Sequence, residues 1–413
     1  MKSHKIAYKL IAPYYLYGGL GFIAMSIFLL QIHEMSEFHY AHPKIIATVH
    51  AITLGWTTML IYGAGHQLIP VILNQELYSL RLLKLNLITS STGIPLILAG
   101  LFKFNFGYST LTGAALLTIS AISFSLNVFM TAYKSRSRCI QSLYLKTATI
   151  WLIITCILGL LQAINFNHFI LPFDSFRLLN THAHIGLIGF ISTTVIGVSS
   201  KLLPMFTLSK YQNDSTLKLI FISIHAGLLL YLLSEFGDSN YLVLSYISFV
   251  AAVVLFVRFT IRIFKNKMRQ NIDLPIKSTL SFQVFTSITG LIGLIYVNNY
   301  TEDEKLSLIY GIFWLLGAIG SILIGMTFKT LPFMAWNEMS IRRPNLLPKD
   351  LYSNVQLCIL IYLYQTSILL LCTGILFNWF VMCKAAIIAL IICSGLYQYL
   401  IFNIHRHTYK SFT

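Results

Sequence analysis

The chain has 413 residues, of which 56% are hydrophobic and only 10% charged, with a mean hydropathy of +0.74. Soluble domains carry about a quarter of their residues as charges, so a soluble globular domain is excluded and an integral membrane protein is indicated. The net charge of +16 does not call for a nucleic-acid partner, because the cations gather in particular connections between oily stretches.

Twelve apolar stretches of spanning length follow one another, each near the roughly 20 residues that a bilayer demands. They cover 10–32, 44–72, 84–103, 108–132, 146–166, 177–206, 216–235, 240–264, 278–298, 306–334, 355–377 and 384–402. The expected fold is all-α: one polytopic membrane domain over 1–413. Lys2, Lys5 and Lys9 precede the first span; Arg81 and Lys84 follow the second; Lys134, Arg136 and Arg138 follow the fourth. Arg258, Arg262, Lys265, Lys267, Arg269 and Lys277 flank the end of the eighth; Arg342, Arg343 and Lys349 follow the tenth; Arg406 and Lys410 follow the twelfth. The alternate connections hold Glu34, Glu37, Glu235, Asp238, Glu302, Asp303 and Glu304. This asymmetry predicts cytoplasmic N- and C-termini, with phospholipid contact as a secondary use of the cations. The first span lacks a small-residue cleavage site and reads as retained. The six cysteines show no CxxC spacing and read as small apolar residues.

Three stretches align without gaps: LGWTTMLIYGAGHQLIPVI (54–72), IGFISTTVIGVSSKLLPMF (188–206) and LGAIGSILIGMTFKTLPFM (316–334). Each carries Gly, Gly and Pro at the same spacing: Gly55/Gly63/Pro70, Gly189/Gly197/Pro204 and Gly317/Gly325/Pro332. The period is about four spans, which divides the chain into pseudo-repeats of about 1–135, 136–270 and 271–413. Small residues at matching heights let helices approach closely, and each proline is expected to close its helix near the cytoplasmic surface.

On this repeat the histidines fall into order. His50 and His184 each stand five residues before the first repeat glycine, with His182 two residues further back and Ile312 at the matching place of the third repeat. Residues two apart on a helix differ by about 200° in direction, so His182 and His184 serve different sides of one helix. Imidazole inside an apolar wall suits the axial position of a haem iron, and intramembrane ionisable residues are functional candidates. Asn180 and Thr181 are placed to orient the outer imidazole. His225, mid-span in the seventh stretch, is a further candidate ligand or proton relay. His66 lies some 24 Å along the helix from His50 and belongs to the other membrane face. His33, His39 and His42, with Glu34 and Glu37, form a loop cluster that a metal ion could use. His405 and His407 read as solvated tail residues.

Twelve spans, an early second-span histidine, and a His-x-His leading into a glycine-rich run that ends in proline resemble the catalytic subunit of haem–copper oxidases. The shorter NnrS-type haem proteins of nitric oxide response are nearer in length and in HAH motif. The resemblance implies b-type haem, one or two groups, held by His50 with His184 and by His182 at a second site. Arg177, Lys103 and Lys384 are the corresponding candidates for propionate contact. It also implies a bacterial-type inner membrane, and a redox partner or quinone. The departures are specific. The His-x-His lies in the sixth span rather than the tenth, the His-Pro-Glu-Val-Tyr stretch and the later His-His pair of the copper site are absent, and mid-span carboxylates are essentially missing. Copper and proton-pumping oxygen reduction are therefore not expected; any enzymatic activity would be an oxidoreductase's. Without CxxCH, covalent c-type haem is excluded. The competing readings are a cofactor-free structural subunit and a small-molecule transporter, the latter expecting broken helices and midplane charges.

Overall fold

The computed structural model of the chain describes residues 6–135, 139–299 and 304–409. Lys2, Lys5, Arg136, Arg138, Glu302, Asp303 and Lys410 lie outside the described residues. Every regular element among the described residues is helical. Twelve helices are long and apolar enough to cross a membrane: α1 Tyr8–Leu30, α2 Pro43–Leu73, α3 Leu80–Phe102, α4 Tyr108–Lys134, α5 Ile140–His168, α6 Ser175–Thr207, α7 Asp214–Phe236, α8 Tyr241–Lys265, α9 Leu274–Ile295, α10 Glu304–Met339, α11 Asn354–Leu376 and α12 Phe380–Tyr409. All twelve expected spans are present. The largest differences are at α5, which begins at Ile140, and α12, which runs on to Tyr409 through residues whose polarity suggested a tail.

The helix ends follow ordinary capping chemistry. Ser79, Asp174, Asn213 and Ser353 each accept a hydrogen bond from a backbone N–H in the first turn of α3, α6, α7 and α11. Pro70 and Pro204 stand close to the ends of α2 and α6. Four residues beyond them Asn74 and Leu208 take left-handed φ values of 49° and 54°. The Gln75 and Ser209 N–H groups then return to the two proline carbonyls at 3.0 and 2.9 Å, which stops both helices. Pro332 departs from the expectation of closure: α10 continues past it to Met339.

By their internal contacts the described residues group into two compact units. One holds α2 from Leu68, α3 to α8, and α9 from Ser287. The other holds α1, α2 as far as Gln67, the beginning of α9 to Thr286, and α10 to α12.

The threefold repeat reappears in the backbone. Within α2, α6 and α10 the helix loosens into an eight-residue π-segment: Ala51–Thr58, Ile185–Ser192 and Phe313–Gly320. Each begins four residues before the first repeat glycine. The packing repeats as well. A Cβ built on Gly63 would stand 2.7 Å from Tyr14 Cβ of α1, and one on Gly197 2.6 Å from Tyr144 Cβ of α5. One on Gly325 would stand 2.5 Å from Ser278 Oγ of α9. Seven residues along those first helices lie Gly21, Trp151 and Phe285, which press on Gly55, Gly189 and Gly317. In every repeat, then, the glycines let the first helix of the repeat lie against the second.

Candidate functional site

The site builds up from the start of α6. The Asp174 carboxylate accepts from the Arg177 N–H at 3.0 Å and sets the helix direction. Ten α-helical residues carry the chain to His184, and the π-segment begins at the next residue. π-segments inside α-helices are frequent at functional sites, because the extra residue per turn redirects side chains and frees backbone carbonyls.

The two rings of THAHIGLIGF do go to different neighbours. His182 faces α5, where a Cβ on Gly159 would sit 3.0 Å from the imidazole Cε1, so the missing side chain makes its room. The His184 ring stacks on Tyr231 of α7, with centroids 4.3 Å apart and planes 28° from parallel. His225 joins them from α7, its ring 4.0 Å from that of Phe221 and 6.4 Å from that of Trp151 on α5. Trp151 is also the side chain that presses on Gly189 in the π-segment. Helices α5, α6 and α7, all in one unit, therefore bring His182, His184 and His225 to the same part of the fold. His50 belongs to the other unit, where it occupies the same step of its own helix, directly before the π-segment of α2.

Three imidazoles share one hydrogen bond. Nδ1 lies 2.8 Å from the Ile46 carbonyl in His50, 2.9 Å from the Asn180 carbonyl in His184, and 2.7 Å from the Phe221 carbonyl in His225. A carbonyl oxygen only accepts, so Nδ1 carries the proton, and in the neutral ring the lone pair is then on Nε2. That is the tautomer in which neutral histidine binds a metal through Nε2. The Nε2 atom of His225 is buried and makes no hydrogen bond among the described residues. The residues thus fit the axial ligands of a b-type haem in donor chemistry, in tautomer and in apolar surroundings. Asn180 does orient an imidazole, but the ring is that of His184 rather than the outer one, and the contact is through its backbone carbonyl. Thr181 Oγ is buried with no hydrogen bond among the described residues.

The remaining candidates lie in other surroundings. Arg177 is exposed in the first turn of α6, within electrostatic reach of Glu235. Lys103 caps α3, and the Lys384 ammonium donates to the Leu30 carbonyl at 3.3 Å and to that of Ile32, closing α1. Lys201 is exposed, whereas Lys329 forms an ion pair with Asp273. His66 is buried with its ring 5.7 Å from that of Tyr14.

In the loop before α2, His39 pairs with Glu304 at 3.3 Å. His42 accepts from the Lys44 N–H as the cap of α2, and Glu37 binds the Lys44 ammonium at 2.5 Å and the His33 N–H at 2.6 Å. Among the described residues no three His, Cys, Asp or Glu side chains gather as a metal-holding group. His407 is exposed, but His405 is not solvated: it is buried, with Nδ1 2.5 Å from the Tyr8 hydroxyl of α1. A ring 397 residues away in the chain gave no local sign of this contact. Neither Tyr231 nor Trp151 was marked by sequence; the signal available for Trp151 was its spacing from Tyr144, which matches Tyr14 to Gly21 and Ser278 to Phe285.

Comparison with family models and with curated proteins finds no match for the chain.

Proposed function

We propose that the chain is an integral-membrane b-type haem protein that passes electrons or handles a diatomic gas such as nitric oxide, with His184 an axial ligand. The observation that carries this reading is the repeated imidazole geometry. His50 and His184 stand at one repeat position, directly before a π-segment, and each gives its Nδ1 proton to the carbonyl four residues back. That bond fixes the ring about its own helix and reserves Nε2 for iron. Bound haem supplies a redox couple and a gas-binding iron; the chain supplies the ring orientation and an apolar, water-poor wall. Tyr231 holds the His184 ring by stacking, and the gap at Gly159 holds His182 on the opposite side for a second group. His225 is the further candidate, as ligand or proton carrier. The partners under this reading are the lipid bilayer and a redox partner or quinone, in a bacterial-type inner membrane with both termini cytoplasmic.

The test uses full-length protein purified in detergent from cells supplied with a haem precursor. Reduced-minus-oxidised spectra, a pyridine haemochrome assay and metal analysis count the haem. The expected result is a Soret band with one or two haems per chain, abolished or halved by His184→Ala. A monodisperse, folded, colourless wild-type protein would overturn the reading and leave the cofactor-free subunit or the transporter.

A further inference from the structure

A second site lies away from the histidines. One stripe of α8, made of Val250, Val254, Val257, Arg258, Ile261, Arg262 and Lys265, faces Ser287, Gly290 and Leu291 of α9 across a groove of about 580 Å³. That volume falls in the range of small-molecule clefts, roughly 300–1,000 Å³. The stripe changes character along its length. For about two turns it is aliphatic, and over the last two it is cationic, with Arg258, Arg262 and Lys265 at i, i+4 and i+7 on the same face. Among the described residues no acidic side chain lines the groove. The α9 wall is low because Ser287 and Gly290 are small; a Cβ on Gly290 would meet only Val250 Cγ2, at 3.5 Å. The apolar wall is open to its surroundings, with Val254 58% and Leu291 61% exposed.

We infer that this groove binds an anionic phospholipid, its phosphate on Arg258, Arg262 and Lys265 and an acyl chain along the valines toward Val250. Charge complementarity selects this occupant. Three cations at the helix end match a phosphodiester held at headgroup depth, and the aliphatic run beneath them matches the chain such a headgroup carries. A zwitterionic lipid sets its own ammonium against its phosphate and gains less from the cations, a quinone gains nothing from them, and free phosphate gains nothing from the valines. The site stands apart from the haem reading and does not depend on it.

The experiment is lipid binding to delipidated full-length protein in detergent, followed by native mass spectrometry and thermal melting. The probes are phosphatidylglycerol, phosphatidylcholine, a short-chain neutral quinone and inorganic phosphate. Wild-type protein should bind one saturable equivalent of phosphatidylglycerol, about a hundredfold more tightly than phosphatidylcholine, at about fivefold for each cation near the surface. Arg258→Gln/Arg262→Gln/Lys265→Gln should bind the two lipids alike. Gly290→Leu should lose the saturable equivalent of both while keeping its cations; Val254→Trp, at an exposed position, does the same should the glycine variant fail to fold. The inference is lost if the wild type shows no preference between the lipids, or if the preference survives the triple substitution. It is equally lost if the saturable equivalent survives both blocking substitutions, if inorganic phosphate displaces the lipid, or if the groove retains the quinone in place of phosphatidylglycerol.

Discussion

The second and third repeats are built on one plan, and they treat the same backbone carbonyl in opposite ways. Ile188 and Leu316 stand directly before the first repeat glycine, at the same step of their π-segments. In the second repeat the Thr193 hydroxyl, on the same helix, donates to the Ile188 carbonyl at 2.9 Å. In the third, Ser321 occupies the position of Thr193, but its hydroxyl is buried with no hydrogen bond among the described residues. There the Tyr364 hydroxyl comes in from α11 and donates to the Leu316 carbonyl at 2.7 Å. The second repeat satisfies its π-segment from within, and the tyrosine of its third helix, Tyr231, stacks on His184 instead. The third repeat has Ile312 in place of histidine, and its tyrosine seals the backbone. The π-segment therefore belongs to the packing plan of all three repeats. What distinguishes the second is the pair of imidazoles set against it.

The largest test of that shared plan is steric. Gly21→Ala would place a methyl 2.2 Å from the Gly55 carbonyl carbon, a backbone atom that cannot swing away. The expected cost is about 3 kcal/mol or more, with loss of monodisperse protein in fluorescence-detected size-exclusion melting. In the second repeat the contact is with a side chain: a Cβ on Gly189 meets Trp151 Cγ at 2.6 Å. Gly189→Ala should cost about 1–3 kcal/mol and, under the proposed haem reading, should also disturb the haem spectrum, since Trp151 lies beside His225. Gly395→Ala, where nothing lies within 4 Å, should be neutral or slightly stabilising through helix propensity. Equal losses at all three positions would mean that close helix approach is not what the glycines provide.

The next effect separates the two carbonyls. Tyr364→Phe removes the hydroxyl that donates to the Leu316 carbonyl, at a cost of about 0.5–1.5 kcal/mol in thermal melting. Thr193→Val removes the corresponding bond in the second repeat, at about 1 kcal/mol. In the Tyr364→Phe background, Ser321→Thr should recover part of the loss, by giving the third repeat the internal solution of the second. Lack of any rescue would show that the two π-segments are not satisfied in interchangeable ways.

Much of this was legible in the residues, and the rest was not for definite reasons. Twelve spans follow from hydropathy because a bilayer demands one apolar length. The repeat was visible on α2, α6 and α10 because glycine and proline are irreplaceable where backbones touch or a helix stops. The partner positions on α1, α5 and α9 carry no such mark. Tyr14, Tyr144 and Ser278 need only fit a gap, so their chemistry varies while their geometry does not. The π-segments left no mark, since shifting from i→i+4 to i→i+5 bonding requires no particular residue. Histidine spacing singled out His50, His182 and His184 as candidates, and a mid-span position singled out His225. It did not reveal which carbonyl each ring would use, because that depends on rotamer. The basic tail misled at His405, whose burial depends on Tyr8 at the far end of the chain.

The smallest effect concerns how the second helices of the first two repeats begin. Asp174 caps α6 with a carboxylate, whereas His42 caps α2 with a neutral imidazole that accepts from the Lys44 N–H. Burial lowers the His42 pKa from its ordinary value, and Lys44 and His39 add to this against the opposing pull of Glu37. A histidine whose pKa is lowered on folding stabilises the fold above its unfolded pKa, near 6.5, and loses that contribution as pH falls through the folded value. Glu37 works in the same direction. Desolvation pushes its pKa up, but the hydrogen bonds from Lys44 and the His33 N–H outweigh this and hold it below the ordinary carboxylate value, so its contribution fades at still lower pH. Melting temperature should therefore fall between pH 7 and pH 5 by an amount matching a weak cap, about 0.5 kcal/mol. His42→Asp should flatten that fall, because a carboxylate keeps accepting the Lys44 N–H across the range, as Asp174 does for α6. An unchanged slope in His42→Asp would assign the acid sensitivity elsewhere, and would leave the two helix starts energetically alike despite their different caps.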